Sequence, residues 1–329
     1  MRIGVLCSGG DSPGMNACVR AVVRSAVLAG HEVVGFRRGY AGVLDGELYL
    51  SVAGEQQMTL STVADIVDHG GTILHSSRCE EFRSAEGLKR AAAHLRELDV
   101  EALVPIGGDG TLRGAVELAD HWDGRIVGCP GTIDNDLLGT DYTIGFHTAV
   151  DTAVDAVDKL RDTAESHERL FLVEVMGRHS GFIALYTALA TGAEVACLPE
   201  TSTDPAAIAG RLQRVQQRGR KSVIVVVAEG DELGNADVLI EKLNEVGCPF
   251  EKRTVRLGHI QRGGSPVPAD RILGSRLGEL AVRSILGGAT GVMAGVVNHG
   301  DVLTPLVETF AGHHPVPQDL IDLLERLAG

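Results

Sequence analysis

No apolar stretch of the 329-residue chain approaches the ~18 residues that suggest a transmembrane helix, so none is expected. The segment Met1–Cys7 is too short before its Gly/Ser/Asp turn to be a signal peptide and reads instead as a first β-strand. Paired cysteines are also missing. The six present (Cys7, Cys18, Cys79, Cys129, Cys197, Cys248) are scattered without a C-x-x-C, which favours buried reduced thiols over disulfides or zinc, and a reducing cytoplasm. Positive charge is scarce: 30 Lys and Arg stand against 44 Asp and Glu, a net charge of −14. Without a basic field to displace counterions, nonspecific nucleic-acid binding is excluded, and an anionic ligand would need arginine concentrated locally. No repeat, low-complexity segment or Pro/Gly/Ser-rich linker is evident.

What is present is an ordinary globular composition, 44% hydrophobic and 22% charged with 42 glycines, in a chain long enough for two domains. Short β-branched runs alternate with longer helical patterns, as in parallel α/β sheets. Strands are predicted at 3–7, 32–36, 102–106, 125–129, 170–175, 195–198, 222–227, 254–257 and 291–297. Helices are predicted at 16–29, 87–98, 111–119, 146–167, 181–190, 205–218, 236–246, 270–286 and around 318–327. The run Val223–Val227 is apolar throughout, which suits a strand covered on both faces. Val150, Val154, Val157 and Leu160 keep helical spacing and are predicted to be core, and the polar Ser166–Arg169 to end their helix. So many βα units imply two doubly wound, Rossmann-like parallel-sheet domains, with the active site in the cleft between them, at the carboxyl ends of the strands.

Three glycine-rich segments follow predicted strands. Ser8–Gly14 either brings backbone N–H groups to an anion or makes a plain tight turn, and no G-K-[ST] follows to make it a P-loop. Gly107-Gly108-Asp109-Gly110-Thr111 sets a carboxylate and a hydroxyl at a helix start, where Asp109 serves either Mg²⁺ or a cap. Its glycine spacing is not the dinucleotide fingerprint. Pro130-Gly131-Thr132-Ile133-Asp134-Asn135-Asp136 adds two carboxylates after a second buried strand. That density of negative charge calls for cations to balance it, and leaves one carboxylate available as a general base. Arg78, Arg83, Arg169, Arg178, Arg253 and Arg262 lie at predicted element ends, where arginine serves either as solvated charge or as a bidentate phosphate ligand. His259, in Gly258-His259-Ile260-Gln261-Arg262-Gly263-Gly264, is either a core histidine or a phosphate contact.

In this order, Gly9-Gly10-Asp11, the two segments at 107–111 and 130–136, Met176-Gly177-Arg178 and 258–264 resemble the bacterial 6-phosphofructokinase family essentially from end to end. The resemblance implies transfer of the γ-phosphoryl of ATP to the 1-hydroxyl of fructose 6-phosphate. Asp134 would be the general base, Thr132 and Arg178 would steady the moving phosphoryl group, and Gly10 would offer its N–H to the phosphates. Asp109 and Asp136 would serve Mg²⁺. Arg78 would bridge donor and acceptor phosphates, with Tyr40, Arg83, Gly110, Thr111 and Gly114 at the nucleotide. Arg169, Arg253, His259 and Arg262 would hold the 6-phosphate, and Glu229, Met176 and Gly177 the sugar, where Thr132, Asp134, Asp136 and Arg178 would also meet the substrate. The family brings the equivalents of Arg169 and Arg253 from a neighbouring subunit, so a homotetramer is expected. It further implies a larger ATP- and Mg²⁺-binding domain at 1–145 plus 261–310, and a smaller sugar-phosphate domain at 146–260 plus 311–329.

Pyrophosphate-dependent relatives tend to carry aspartate at position 110 and lysine at 131, so Gly110 and Gly131 both imply ATP. Two departures stand out. Cys79 replaces a phenylalanine common beside the nucleotide, and Leu60 replaces an arginine of the family's effector site, to which Arg20, Arg24, Arg161, Glu194, Arg218 and Arg220 would belong. The rival readings are a pyrophosphate-dependent or broader sugar-phosphate kinase, for example toward sedoheptulose 7-phosphate, and a noncatalytic sugar-phosphate-binding subunit. The retained carboxylates argue against the subunit, and the missing G-x-G-x-x-G against a nicotinamide dehydrogenase.

Overall fold

A computed structural model describes residues 1–167, 169–220 and 222–327; Glu168, in the polar stretch predicted to end the long helix, lies outside them. In chain order the elements are β1 (Arg2–Cys7), α1 (Met15–Leu28), β2 (Glu32–Phe36), α2 (Tyr40–Asp45), α3 (Ala85–Glu97), β3 (Ala102–Gly107), α4 (Asp109–Ala119), β4 (Arg125–Thr132), β5 (Ile144–Gly145) and α5 (Phe146–His167). Then come β6 (Arg169–Val175), α6 (Phe182–Thr191), β7 (Val195–Cys197), α7 (Pro205–Gln217), β8 (Val223–Ala228), α8 (Ala236–Glu245) and β9 (Glu251–Arg256). The last are α9 (Pro268–Leu286), β10 (Val292–Val297), β11 (Gly300–Pro305), α10 (Leu306–Thr309) and α11 (Gln318–Leu327).

The chain divides into two compact units. Unit 1 comprises Met1–Ile133, Leu137–Thr148 and Arg262–His314. Its sheet runs β11-β10-β4-β3-β1-β2, with β5 paired to β4; all pairs are parallel except β10–β11. Helices α1 and α9 cover one face over Val5, Val104 and Val127, and α3 and α4 the other over Leu6 and Leu103. The helices after β1 and β3 therefore leave to opposite faces, and their strand ends flank the crevice where such sheets bind ligands.

Unit 2 comprises Asp134–Asp136, Ala149–Gln261 and Pro315–Gly329, around a parallel sheet ordered β7-β8-β6-β9. Its central strand β8 is buried throughout, as its unbroken apolar run predicts. The stripe of α5 differs from expectation: Val157 is buried, but Val150, Val154 and Leu160 are only half-buried. The buried face runs instead through Ala149, Ala153, Val157 and Ala164, where alanine allows close approach. The predicted 254–257 strand is β9, three residues earlier at its start. It is a partly exposed edge strand beginning Glu251-Lys252-Arg253, and those charges conceal it in a hydropathy pattern.

Candidate active site

In unit 1 the carboxyl ends of β1, β3 and β4 come together. Register pairs Cys7 with Ile106, and Gly107 with Pro130. The Thr111 hydroxyl donates to Ser8 O at 2.9 Å, closing α4 onto the end of β1. A Cβ at Gly107 would collide with both groups, so only glycine fits there. A Cβ on Gly108 would lie 3.4 Å from Thr132, which places the second and third glycine segments side by side. The Gly9 loop has φ +85°, and Ser76 Oγ donates to Gly9 O at 2.7 Å while Gly9 N donates to Ser77 O at 3.2 Å. The exposed Arg78 is thereby tethered beside this loop. A side chain on Gly10 would overlap the Arg262 guanidinium, whose Nε is buried with no hydrogen bond among the described residues. An arginine so placed against glycine backbone forms a ready anion cradle.

Asp109 opens α4 and its Oδ1 accepts from Arg113 Nε at 2.5 Å. No atom of the described residues lies within 4 Å of where a Cβ on Gly110 would sit. Gly131 contrasts with it: a Cβ there would meet Met15 Cε at 2.8 Å and Ile106 Cγ2 at 3.1 Å. Of the two glycines singled out for donor choice, only Gly110 faces open space, whereas core packing requires Gly131 to be bare.

Tyr40 and Gly114 lie beneath the 107–111 segment. Tyr40 is buried, stacks on Phe82 with ring centroids 4.0 Å apart, and donates its hydroxyl to Thr111 O at 2.7 Å. Gly114 leaves room for that stack, since a Cβ would come within 3.0 Å of Tyr40 and 3.1 Å of Phe82. Removing the hydroxyl in Tyr40→Phe takes away one partner of Thr111 O, which stays in the ladder of α4, and is expected to cost about 0.5–1.5 kcal/mol in urea unfolding. Stability equal to the parent would show that the hydrogen bond contributes nothing. Arg83, by contrast, is exposed and, among the described residues, pairs with Glu80 at 3.5 Å.

In unit 2 the buried Asp134 carries Oδ2 3.7 Å from Arg178 Nε. Asn135 follows at φ +53°, a left-handed turn that asparagine tolerates, and Asp136 is half-buried. Arg178 is itself left-handed at φ +52°, and its N–H donates to Glu229 Oε1 at 2.9 Å. The preceding Gly177 has φ +140°, and Met176 N donates to the buried Gln261 Oε1 at 2.8 Å. These contacts bring the end of β6, the end of β8 and the 258–262 turn, with its exposed His259, to one end of the sheet.

Arg169 and Arg253 do not join them. Arg169 begins β6 and pairs with Glu251 at 3.2 Å; Arg253 stands opposite Phe171 in β9 and engages the same glutamate. At ~3.3 Å per residue, β6 separates Arg169 from its carboxyl end by about 20 Å. Elsewhere in unit 2, Arg161, Thr191, Gly192, Arg220 and Ser222 line a cavity of about 540 Å³. There Arg220 pairs with Glu194, which also accepts from Ile224 N at 2.8 Å.

Gln261, Phe82, Ser12, Thr143 and Asp270 hydrogen-bond or pack against these segments, though nothing in the sequence singles them out. The amide of Gln261 sits inside the recognised 258–264 segment, and Asp270 reads simply as a helix-start residue.

The glycine-walled strand ends and helix amino end of unit 1 suit a phosphate group, and unit 2 separately holds a buried aspartate beside arginine. The phosphofructokinase family model matches residues 2–285. The chain is 53% identical over 327 residues to ATP-dependent 6-phosphofructokinase 1 of Thermus thermophilus, spanning 99% of each. The phosphofructokinase of Saccharomyces cerevisiae superposes with a TM-score of 0.85 at 36% identity, over 93% of this chain and 45% of the yeast chain, less than half its length. A pyrophosphate-dependent phosphofructokinase from Marinobacter aquaeolei reaches the same TM-score of 0.85 at 22% identity, covering 100% of this chain and 92% of its own, a likeness of fold alone. The chain belongs to the phosphofructokinase family.

Proposed function

We propose that this chain transfers the γ-phosphoryl of ATP to the 1-hydroxyl of fructose 6-phosphate, giving fructose 1,6-bisphosphate. The observation that carries this reading is the buried Asp134 with Arg178 beside it. Asp134 takes the proton of the attacking hydroxyl, while Arg178 and Thr132 stabilise charge on the moving group. Gly10, Arg78, Asp109, Gly110 and Thr111 serve the donor in unit 1, with Tyr40 and Gly114 as support and Arg83 at the margin. Met176, Gly177, Glu229 and His259 hold the sugar phosphate with Arg262, and Arg169 and Arg253 act in a second copy's site. Open space at Gly110 supports a nucleotide donor. The absence of a membrane-spanning helix among the described residues and the six free cysteines support a cytoplasmic setting.

Among the described residues no group of three or more His, Cys, Asp or Glu side chains is arranged to hold a metal ion. Magnesium takes one or two protein carboxylates and completes its shell with phosphate and water, and Asp109 and Asp136 fit that pattern. When bound it neutralises phosphate charge.

Parallel coupled assays with fructose 6-phosphate and either ATP or pyrophosphate test the reading. Turnover with ATP is expected, and turnover with pyrophosphate alone would overturn the donor assignment.

The position of Arg169 and Arg253 at the far end of β6 supports a homotetramer in which they complete a neighbour's site. Asp134→Asn and Arg253→Ala homomers are each expected to be weakly active, while mixed oligomers regain turnover at sites that combine intact residues from both. Reassociated mixtures with no gain over the separate variants would place Arg253 in its own chain's site or outside any.

The Arg161–Arg220 cavity, with Glu194, supports an effector pocket like the family's. The family pattern adds Arg20, Arg24 and Arg218 to that effector site, and Leu60 would remove one of its contacts.

A further inference from the structure

The two-residue strand β5 is gripped from three sides by groups that the reaction as described leaves unused. Asp270, in the first turn of α9, is completely buried. Its Oδ1 accepts from Gly145 N at 2.9 Å, and its Oδ2 accepts from Thr148 N at 2.7 Å and Thr148 Oγ1 at 2.6 Å. Burial raises the pKa of this carboxyl, and the Thr148 hydroxyl and the two backbone N–H groups pull it back. From the other side, the buried Ser12 Oγ donates to Ile144 O at 2.8 Å. Ser12 belongs to the first glycine loop, so that loop and β5 are directly joined.

The third grip leads to the reacting segment. Register pairs Gly131 with Ile144 and Thr132 with Gly145, and Thr143 Oγ1 donates to Thr132 O at 2.6 Å. The packing leaves no slack. A Cβ on Gly145 (φ +106°) would lie 2.5 Å from Ser12 Cβ, and one on Gly14 (φ +103°) 2.9 Å from Ile144 and 3.2 Å from Asp270 Cβ. Three chain segments, 12–14, 143–148 and 270, thus meet with no room for a side chain at Gly14 or Gly145.

We propose that Asp270 is a positioning residue for phosphoryl transfer: by clamping β5 it holds the Thr132 end of β4 and the Gly9–Gly14 loop in register. It touches neither substrate nor reacting atoms. A buried carboxylate suits the task because a single side chain can accept from two strand and helix N–H groups and a hydroxyl at once, fixing three directions together. The inference rests on the reading of Thr132–Asp136 as the catalytic segment. Displacements of about 1 Å are enough to cost ~10²-fold in rate, so a loosened β5 should act on turnover more than on binding.

Asp270→Asn keeps the size but turns one acceptor into an NH₂ group facing N–H donors. It is expected to lower kcat by roughly 10–100-fold, with both KM values within about threefold of the parent. Thr143→Val, which cuts the link from β5 to Thr132 O without touching Asp270, is expected to give the same kcat-selective loss. The double variant should fall short of the product of the two effects, because both act through one strand. A folded Asp270→Asn enzyme with parental kcat and only a lower Tm would overturn the proposal. Should Asp270→Asn not fold, Thr143→Val decides, a selective kcat loss supporting the proposal and parental kcat overturning it. Asp134→Asn, measured alongside, separates the two possible failures. Parental turnover there overturns the catalytic reading and this inference with it. Parental turnover in Asp270→Asn while Asp134→Asn is inactive overturns the inference alone.

Discussion

Asp134→Asn is expected to lower kcat by roughly 10²–10⁴-fold while leaving fructose 6-phosphate binding nearly intact. Asparagine keeps the shape of the buried side chain but cannot accept the proton of the attacking hydroxyl. The surroundings have little reason to move. Arg178 is held through its own backbone N–H on Glu229, and its side chain is 51% exposed, so losing the 3.7 Å ion pair is worth at most about 1 kcal/mol. Binding measured by calorimetry and turnover by a coupled assay separate the two effects. Parental turnover would remove Asp134 from the role of base, and lost sugar-phosphate affinity with preserved kcat would recast it as a binding residue.

The architecture was legible because its strands carry the signal expected of parallel sheets. Val223–Val227 could be placed as a buried strand from its apolar run alone, and the glycine segments mark where β1, β3 and β4 end. The strands that escaped are short or polar. β5 is two residues long and β11 is an antiparallel edge, so neither presents a hydrophobic period, and the three charges that begin β9 hide the first half of that strand. The helices α2 and α10, of six and four residues, are too short for helical spacing to appear.

The candidate site was legible where packing leaves room for glycine alone, as at Gly107. It was opaque where ordinary residues do the supporting. Ser12, Thr143 and Asp270 are commonplace turn and cap residues locally, and their convergence on β5 exists only after residues more than 100 apart in sequence are brought together. Tyr40 shows the same limit in reverse. The family pattern places it at the nucleotide, and its hydroxyl turns out to hold Thr111 O from below.

Gly110→Asp is expected to reduce kcat/KM for ATP by about 10²-fold or more, near 3 kcal/mol of lost transition-state binding. The substitution should fold well. Position 110 lies in the first turn of α4, where a carboxylate complements the helix dipole, and the new side chain meets open space. Thermal stability equal to or above the parent is therefore expected, and the defect falls on the donor alone. The cause is charge and volume together: a second carboxylate next to Asp109 occupies the space left for the nucleotide and repels its phosphates. Pyrophosphate use should not rise in compensation, because the companion lysine of pyrophosphate-dependent relatives has no room at Gly131. Gly131→Lys would press on Met15 and Ile106 and is expected to destabilise the fold rather than change the donor. Assays of Gly110→Asp with each donor, beside its melting curve, decide the matter. An unaltered ATP value in a folded variant would show that the space at Gly110 is not where the nucleotide lies.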